Sequence, residues 1–203
     1  MNIAIIGTGN VGGALATQWS KAGHTIWLGT RDPNNFKGRH LLENAQTQAT
    51  TISEAIQKAE VLLVATPPHI AVEQAEQFGD LSGKVLIDAT NAIRQGPDPY
   101  PTAFHAFSDL TQAELVKCFN TTGFENMQNP DYGSHRLDMF MAGDSASAKQ
   151  VAKQLSSDAG FESCIDFGGA DKVELLEQFA LAWINLAIFQ GTGRGIGFKL
   201  LKR

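Results

Sequence analysis

The sequence predicts an α/β fold: a doubly wound parallel sheet with a small C-terminal α/β extension and a long C-terminal helix. Three observations carry that prediction. Short apolar runs alternate with helical stretches along the whole chain, as in a parallel sheet covered by helices on both faces. A glycine turn, Gly7-Thr8-Gly9-Asn10-Val11-Gly12, stands between the first apolar run and the first helix. Crossovers between parallel strands are right-handed, which favours a sheet wound outward in both directions.

The elements follow in order. Asn2–Ile6 carries Ile3, Ile5 and Ile6 and reads as a buried strand. Asn10–Ala22 is a helix stopped by Gly23, and Thr25–Leu28 a second strand. Asp32-Pro33 predicts a short helix, with an N-cap and a proline at its first position. Ser53–Ala59 is a helix, Val61–Ala65 a strand, Pro68–Phe78 a helix and Val85–Ala89 a strand. Three prolines and a glycine make Gln95–Pro101 a loop. Asp109–Leu115 is expected to be a helix, followed by strands at Val116–Phe119 and Leu137–Ala142. A helix at Ser145–Ala159 and a strand at Phe161–Asp166 come next. The helix Asp171–Gln190, apolar nearly all round in its second half, is expected to be buried.

Composition narrows the function. The 203 residues suggest one domain, or residues 1–115 with a smaller part at 116–203 closing a cleft. With 43% apolar and 18% charged residues, the chain resembles an ordinary soluble globular protein. A net charge of −5 argues against general nucleic-acid binding. The longest apolar run, Phe179–Phe189, is shorter than the roughly 20 residues a bilayer span needs, so no membrane role is expected. The N-terminus lacks a basic region ahead of its apolar run, so no signal peptide is expected and a cytoplasmic setting is the default. Cys118 and Cys164 read as buried small hydrophobes, and no spacing suggests a metal site.

Gly7, Gly9 and Gly12 fit G-x-G-x-x-G directly after a strand and at the opening of a helix. Gly7 permits the tight turn, Gly9 lets a pyrophosphate approach the backbone, and Gly12 lets helix and strand pack closely. This is the phosphate turn of a Rossmann-type sheet, with free helix N–H groups facing the ligand. A second glycine-rich stretch, Gly191–Gly197, follows a helix rather than a strand and lacks that geometry. It reads as a helix stop and flexible turn that lets Phe198, Leu200 and Leu201 pack back, and it could wall a cleft. Downstream of the second strand, Asp32 has the sequence distance of a ribose-binding carboxylate, but it is also placed as a cap. Thr30 and Arg31 lie nearer the strand end. A hydroxyl beside a guanidinium suits a 2′-phosphate, which favours NADP, with Lys37 and Arg39 nearby.

The chain resembles the coenzyme F420-dependent NADP oxidoreductases, a family related in fold to the cytosolic reductase domain of six-transmembrane metalloreductases. The likeness runs through Gly7–Gly12, A-G-H at Ala22–His24, G-T-R at Gly29–Arg31 and A-T-P-P-H at Ala65–His69. It continues in V-K-C-F-N-T at Val116–Thr121 and in the terminal segment Asn185–Leu201. The resemblance implies NADP at Thr8–Val11, Thr30 and Arg31, with Thr66 and Pro67 lining it and Ile196 closing the nicotinamide end; Gly7, Gly9, Asn10, Gly12 and Ala65 are expected among the cofactor contacts. A flavin-like acceptor, coenzyme F420 or a flavin, would stack on the nicotinamide. Hydride would then pass ring to ring with no obligatory protein acid or base. The chain departs from the deazaflavin reductases at Asn35 and Asn120, so the acceptor stays open between F420, a flavin and another small oxidant.

Asn91 lies at a strand's carboxyl end, where open α/β sheets bind ligands. His69, Asn120 and Thr121 are candidate substrate contacts. His24 is read as structural, and His40, His105 and His135 have no partner spacing. The function expected is hydride transfer between NADPH and a flavin-like ring. The alternatives are a non-catalytic NADP-sensing module and a dehydrogenase of a small hydroxy acid. A homodimer through the apolar C-terminal helix is expected.

Overall fold

Alternate residues of β1 (Asn2–Ile6) point into two different cores. Ile3 and Ile5 face one, Ala4 and Ile6 the other, and all four are buried. This is the period-two signature of a strand covered on both sides. The computed structural model describes residues 1–93 and 95–203. Around β1 the chain lays down β2 (Thr25–Thr30), β3 (Thr47–Thr51), β4 (Val61–Val64), β5 (Val85–Asp88), β6 (Glu114–Cys118), β7 (Asp138–Ala142) and β8 (Ser163–Asp166). One eight-stranded sheet results, in the order β3-β2-β1-β4-β5-β6-β7-β8. It is the Rossmann-type α/β fold expected.

The helices are α1 (Asn10–Lys21), α2 (Ile52–Lys58), α3 (Ala71–Phe78), α4 (Ala103–Leu110), α5 (Phe124–Gln128), α6 (Ala146–Asp158) and α7 (Val173–Ile184). Leu15 and Trp19 of α1 and Ala152 and Leu155 of α6 fill one face of the sheet. Ala55 of α2, Phe78 of α3, Phe104 and Phe107 of α4 and Leu176 of α7 fill the other. The strand order reverses between β1 and β4, which opens a crevice at the carboxyl ends of those strands.

The structure corrects several sequence expectations. Asp32-Pro33 opens a turn, not a helix: Asp32 Oδ1 accepts the Asn34 N–H at 2.9 Å. A short 3₁₀ helix stands further on, at Arg39–Glu43. The polar β3 went unread because T-Q-A-T-T has no apolar alternation; it is an edge strand needing only one covered face. The helix expected at Asp109–Leu115 lies at Ala103–Leu110, capped by Thr102, and its Phe104 and Phe107 enter the core. The chain has already become β6 by Glu114. β7 runs antiparallel to β6 and parallel to β8, so the last two strands oppose the rest. The division at residues 115 and 116 falls inside β6, and the sheet continues across it.

The C-terminal helix breaks into a 3₁₀ turn (Ala170–Lys172), α7 and a π-helical turn (Asn185–Phe189). It is not buried as expected: Leu186, Ile188 and Phe189 are 42%, 49% and 66% exposed. Nor do Leu200 and Leu201 pack back, although Phe198 does, its ring 4.5 Å from that of Phe179. Cys118 is buried and Cys164 only partly so, with their sulfurs 3.9 Å apart as free thiols. Among the described residues no helix is long and apolar enough to cross a membrane.

Candidate functional site

The glycine turn owes its shape to close backbone approach. Gly7 has φ +106°, and a Cβ there would lie 2.5 Å from the Ala65 carbonyl oxygen at the end of β4. A Cβ on Gly12 would lie 1.9 Å from the Gly7 oxygen. Gly9 differs: a Cβ on it would meet nothing within 4 Å, so its backbone faces open space. Gly9 is also the N-cap of α1, with no side-chain cap and no acidic residue in the first turn. The first N–H groups of α1, from Asn10 and Val11 onward, have no partner within the helix and aim at that space. Turn and helix together form a cradle for an anion.

The connection after β2 folds onto this cradle. Thr8 Oγ1 donates to the Lys37 carbonyl, and Gly38 (φ +103°) is pressed against Thr8. Thr30, at the end of β2, is buried, and its Oγ1 has no partner among the described residues. Arg31 follows directly and is exposed. The Asp32 carboxylate is engaged in its own turn.

Beyond β4, Ala65 donates its N–H to the Ile6 carbonyl, Thr66 Oγ1 donates to Gln74 Oε1, and Pro67 leads into Pro68 and His69. Beyond β5 and β6, two asparagines clasp each other. Asn91 Nδ2 donates to the Asn120 carbonyl at 2.8 Å, and Asn120 Nδ2 donates to Asn91 Oδ1 at 2.9 Å. Phe119, just before Asn120, has φ +62°, a conformation that is costly for a bulky residue and that turns the chain sharply there. Thr121 points into the core, its Oγ1 3.7 Å from Met139 Sδ, away from any cleft. The Ile196 carbonyl accepts from Trp183 Nε1 and Asn126 Nδ2, which straps the terminal glycine segment across α5 and α7. Arg194 reinforces the strap by pairing with Glu125.

A cavity of about 440 Å³ opens beside this cluster. Pro68, His69, Asn91, Ile93, Gln95, Ile184, Ile188 and Phe189 line it. It combines an apolar wall with a few polar groups, the usual make-up of a small-molecule site. It brings His69 and Asn91 together. His24 lies elsewhere, with Nε2 2.9 Å from Asp158 Oδ2 and Nδ1 3.1 Å from the N-terminal amine.

Sequence reasoning passed over one cluster. Lys117 is fully buried and donates to Asp88 Oδ2 at 2.8 Å and Glu177 Oε1 at 2.5 Å. Burial opposes its charge, but the two carboxylates outweigh that and hold the Lys117 pKa above its ordinary value. The available signal was a lysine inside the apolar strand V-K-C-F and a glutamate on the apolar C-terminal helix. Among the described residues no group of three or more His, Cys, Asp or Glu is placed to hold a metal ion.

A glycine cradle at the switch point of a doubly wound sheet defines a dinucleotide-binding protein of the Rossmann class. Residues 2–92 match the family described as NADP oxidoreductase, coenzyme F420-dependent. It is 26% identical over 208 residues to the F420-dependent NADP reductase of Methanothermobacter marburgensis, covering 93% of each chain. It is 25% identical over 182 residues to the metalloreductase STEAP3 of Rattus norvegicus, covering 88% of this chain but only 36% of the rat protein. A crystal structure described as a candidate F420-dependent NADP-reductase, from Arthrobacter sp. FB24, superposes over 100% of both chains. Its TM-score is 0.81 and its identity 26%. The family resemblance read from the motifs is borne out.

Proposed function

We propose that this protein transfers hydride between NADPH and a flat, flavin-like acceptor, coenzyme F420 or a flavin. Bound NADP(H) supplies the hydride chemistry; the protein's part is to bind and position. In this reading residues 1–115 hold the cofactor and residues 116–203 close the cleft.

The residues present fit the cofactor. Gly7, Thr8, Gly9, Asn10, Val11 and Gly12 would take the pyrophosphate, since Gly9 is open on the side a phosphate needs. Thr30 and Arg31 would take the 2′-phosphate, the buried Thr30 hydroxyl having no partner among the described residues and the Arg31 guanidinium being exposed. Ala65, Thr66, Pro67 and Asn91 would line the nicotinamide half, with Ile196 in the strap closing over it. His69, and Asn120 acting through its clasp on Asn91, would border the acceptor. Thr121 fits this role poorly, because it points into the core.

The cavity beside Asn91 carries the acceptor assignment. It is walled by Ile184, Ile188 and Phe189 and presents a few hydrogen-bonding groups, suiting a ring that is apolar on its face and polar at its edge. Hydride transfer between stacked rings asks for such a slot and for no acid–base pair. The test is NADPH consumption with F420, FMN, FAD and quinones in turn. Sustained turnover with F420 or a flavin is expected. Turnover with none of the panel overturns the enzyme reading in favour of an NADP sensor. The exposed Leu186, Ile188, Phe189 and Leu201 also support a homodimer through this end of the molecule. A monomer mass by light scattering at micromolar protein would overturn that.

A further inference from the structure

Glu177 uses both of its carboxylate oxygens. Oε1 accepts from Lys117 Nζ at 2.5 Å, and Oε2 accepts the Ala92 N–H at 2.8 Å. Lys117 is held in turn by Asp88 Oδ2, while Asp88 Oδ1 accepts the Thr90 N–H at 2.8 Å. The network therefore joins α7, β6, β5 and the turn after β5. A buried ionic cluster is a poor device for stability alone, because well-packed apolar residues often do as well. Two carboxylates around one ammonium make that case weaker still.

The cluster does have positional content. Ala92 lies between Asn91 and Ile93, which line the cavity beyond β5. On α7, Ile184 lies seven residues past Glu177, two turns along the same face, and Ile188 and Phe189 follow in the π-helical turn. These three line the same cavity. Glu177 itself does not line the cavity, yet its carboxylate connects two segments that do. Phe189 and Ile188 are substantially exposed, so packing alone holds that lining loosely. The hydrogen bond from the turn to α7 ties it down.

We infer that Glu177, anchored by Lys117 and Asp88, is a positioning residue that sets the gap between the Asn91–Ile93 turn and the end of α7. It would thereby determine acceptor binding without touching the acceptor. This rests on the cavity being the acceptor site.

Glu177→Leu tests it, because that change leaves Asp88 and Lys117 as a charge-matched pair. Glu177→Gln keeps an oxygen for the Ala92 N–H. With FMN and F420 as acceptors, Glu177→Leu should raise acceptor KM by about tenfold or more, the weight of one charge-assisted hydrogen bond, with NADPH Kd held within about twofold. Glu177→Gln should restore most of the loss. Hydrogen exchange in the 89–93 segment should accelerate in Glu177→Leu, while exchange in β1 should not. If Glu177→Leu does not fold, Ala92→Pro removes the same hydrogen bond from the other end and should reproduce the KM rise. Equal weakening of NADPH and acceptor, unchanged KM and exchange, or no rescue by Gln would each overturn the inference. If the wild type turns over neither FMN nor F420, the acceptor-site reading fails on its own. The exchange result then still decides whether Glu177 holds the turn.

Discussion

Replacing Thr30 by Val should move stability and cofactor affinity in opposite directions. Thr30 is buried at the end of β2, and its hydroxyl has no hydrogen-bond partner among the described residues. A buried, unpaired hydroxyl costs about 1–3 kcal/mol, and Val has nearly the same shape without that polar atom. The free protein should therefore be as stable as wild type or more stable. In the proposed complex the same hydroxyl donates to the 2′-phosphate. Losing a hydrogen bond to a charged group costs about 1.5–3 kcal/mol, and each 1.4 kcal/mol is about tenfold in affinity. Thr30→Val should thus weaken NADPH by roughly 10-fold or more, leave NADH unchanged and not lower Tm. Arg31→Ala should weaken NADPH by a comparable factor, again sparing NADH, since the guanidinium is exposed and makes no hydrogen bond or ion pair among the described residues. Titration calorimetry with both cofactors, together with thermal melts, reads all of these quantities. Equal loss of NADPH and NADH, or a clear drop in Tm, would refute the argument. The first would show that Thr30 does not recognise the 2′-phosphate. The second would show that its hydroxyl has a partner in the folded protein.

Three further outcomes follow from particular contacts. Gly12→Ala should destabilise by about 1–3 kcal/mol through overpacking, although helix propensity alone predicts a gain of about 1 kcal/mol. The decisive contact is the 1.9 Å approach of the new Cβ to the Gly7 oxygen, and a raised Tm would refute it. Asp32→Ala should lose only an exposed turn hydrogen bond, about 0.5–1 kcal/mol, and leave NADPH preference intact. Loss of NADH binding in that variant would instead make Asp32 a ribose ligand. The Lys117 pKa is raised on folding, so its stabilising contribution is complete below the unfolded lysine pKa of about 10.4 and fades as pH rises through the folded value. Chemical denaturation should show this group's contribution level from neutral pH to about pH 10 and falling above it, with that alkaline step missing in Lys117→Met.

Local chemistry determined much of this protein, and it was readable directly. Gly7, Gly9 and Gly12 act through φ and the absence of Cβ, properties of the residues themselves, so their spacing after β1 located the cradle. Ile3, Ile5 and Ile6 marked β1 because a strand buried on both faces is apolar throughout. Thr30 and Arg31 stood out because they sit at a strand end. The rest depended on which surfaces met. Asp32 and Thr102 are both good caps, and only the fit of Phe104 and Phe107 into the core made Thr102 the one that starts a helix. β3 exists because an edge place beside β2 was open to a polar segment. The apolar second half of the C-terminal helix was legible, but composition does not say whether such a surface meets a core, a partner or a ligand. In this fold Ile184, Ile188 and Phe189 wall a cavity. Asp88, Lys117 and Glu177 come from three separate elements, 29 and 60 residues apart as measured from Lys117. Their charges have no periodicity to betray them, and only the sheet order and the placement of α7 bring them within hydrogen-bonding distance.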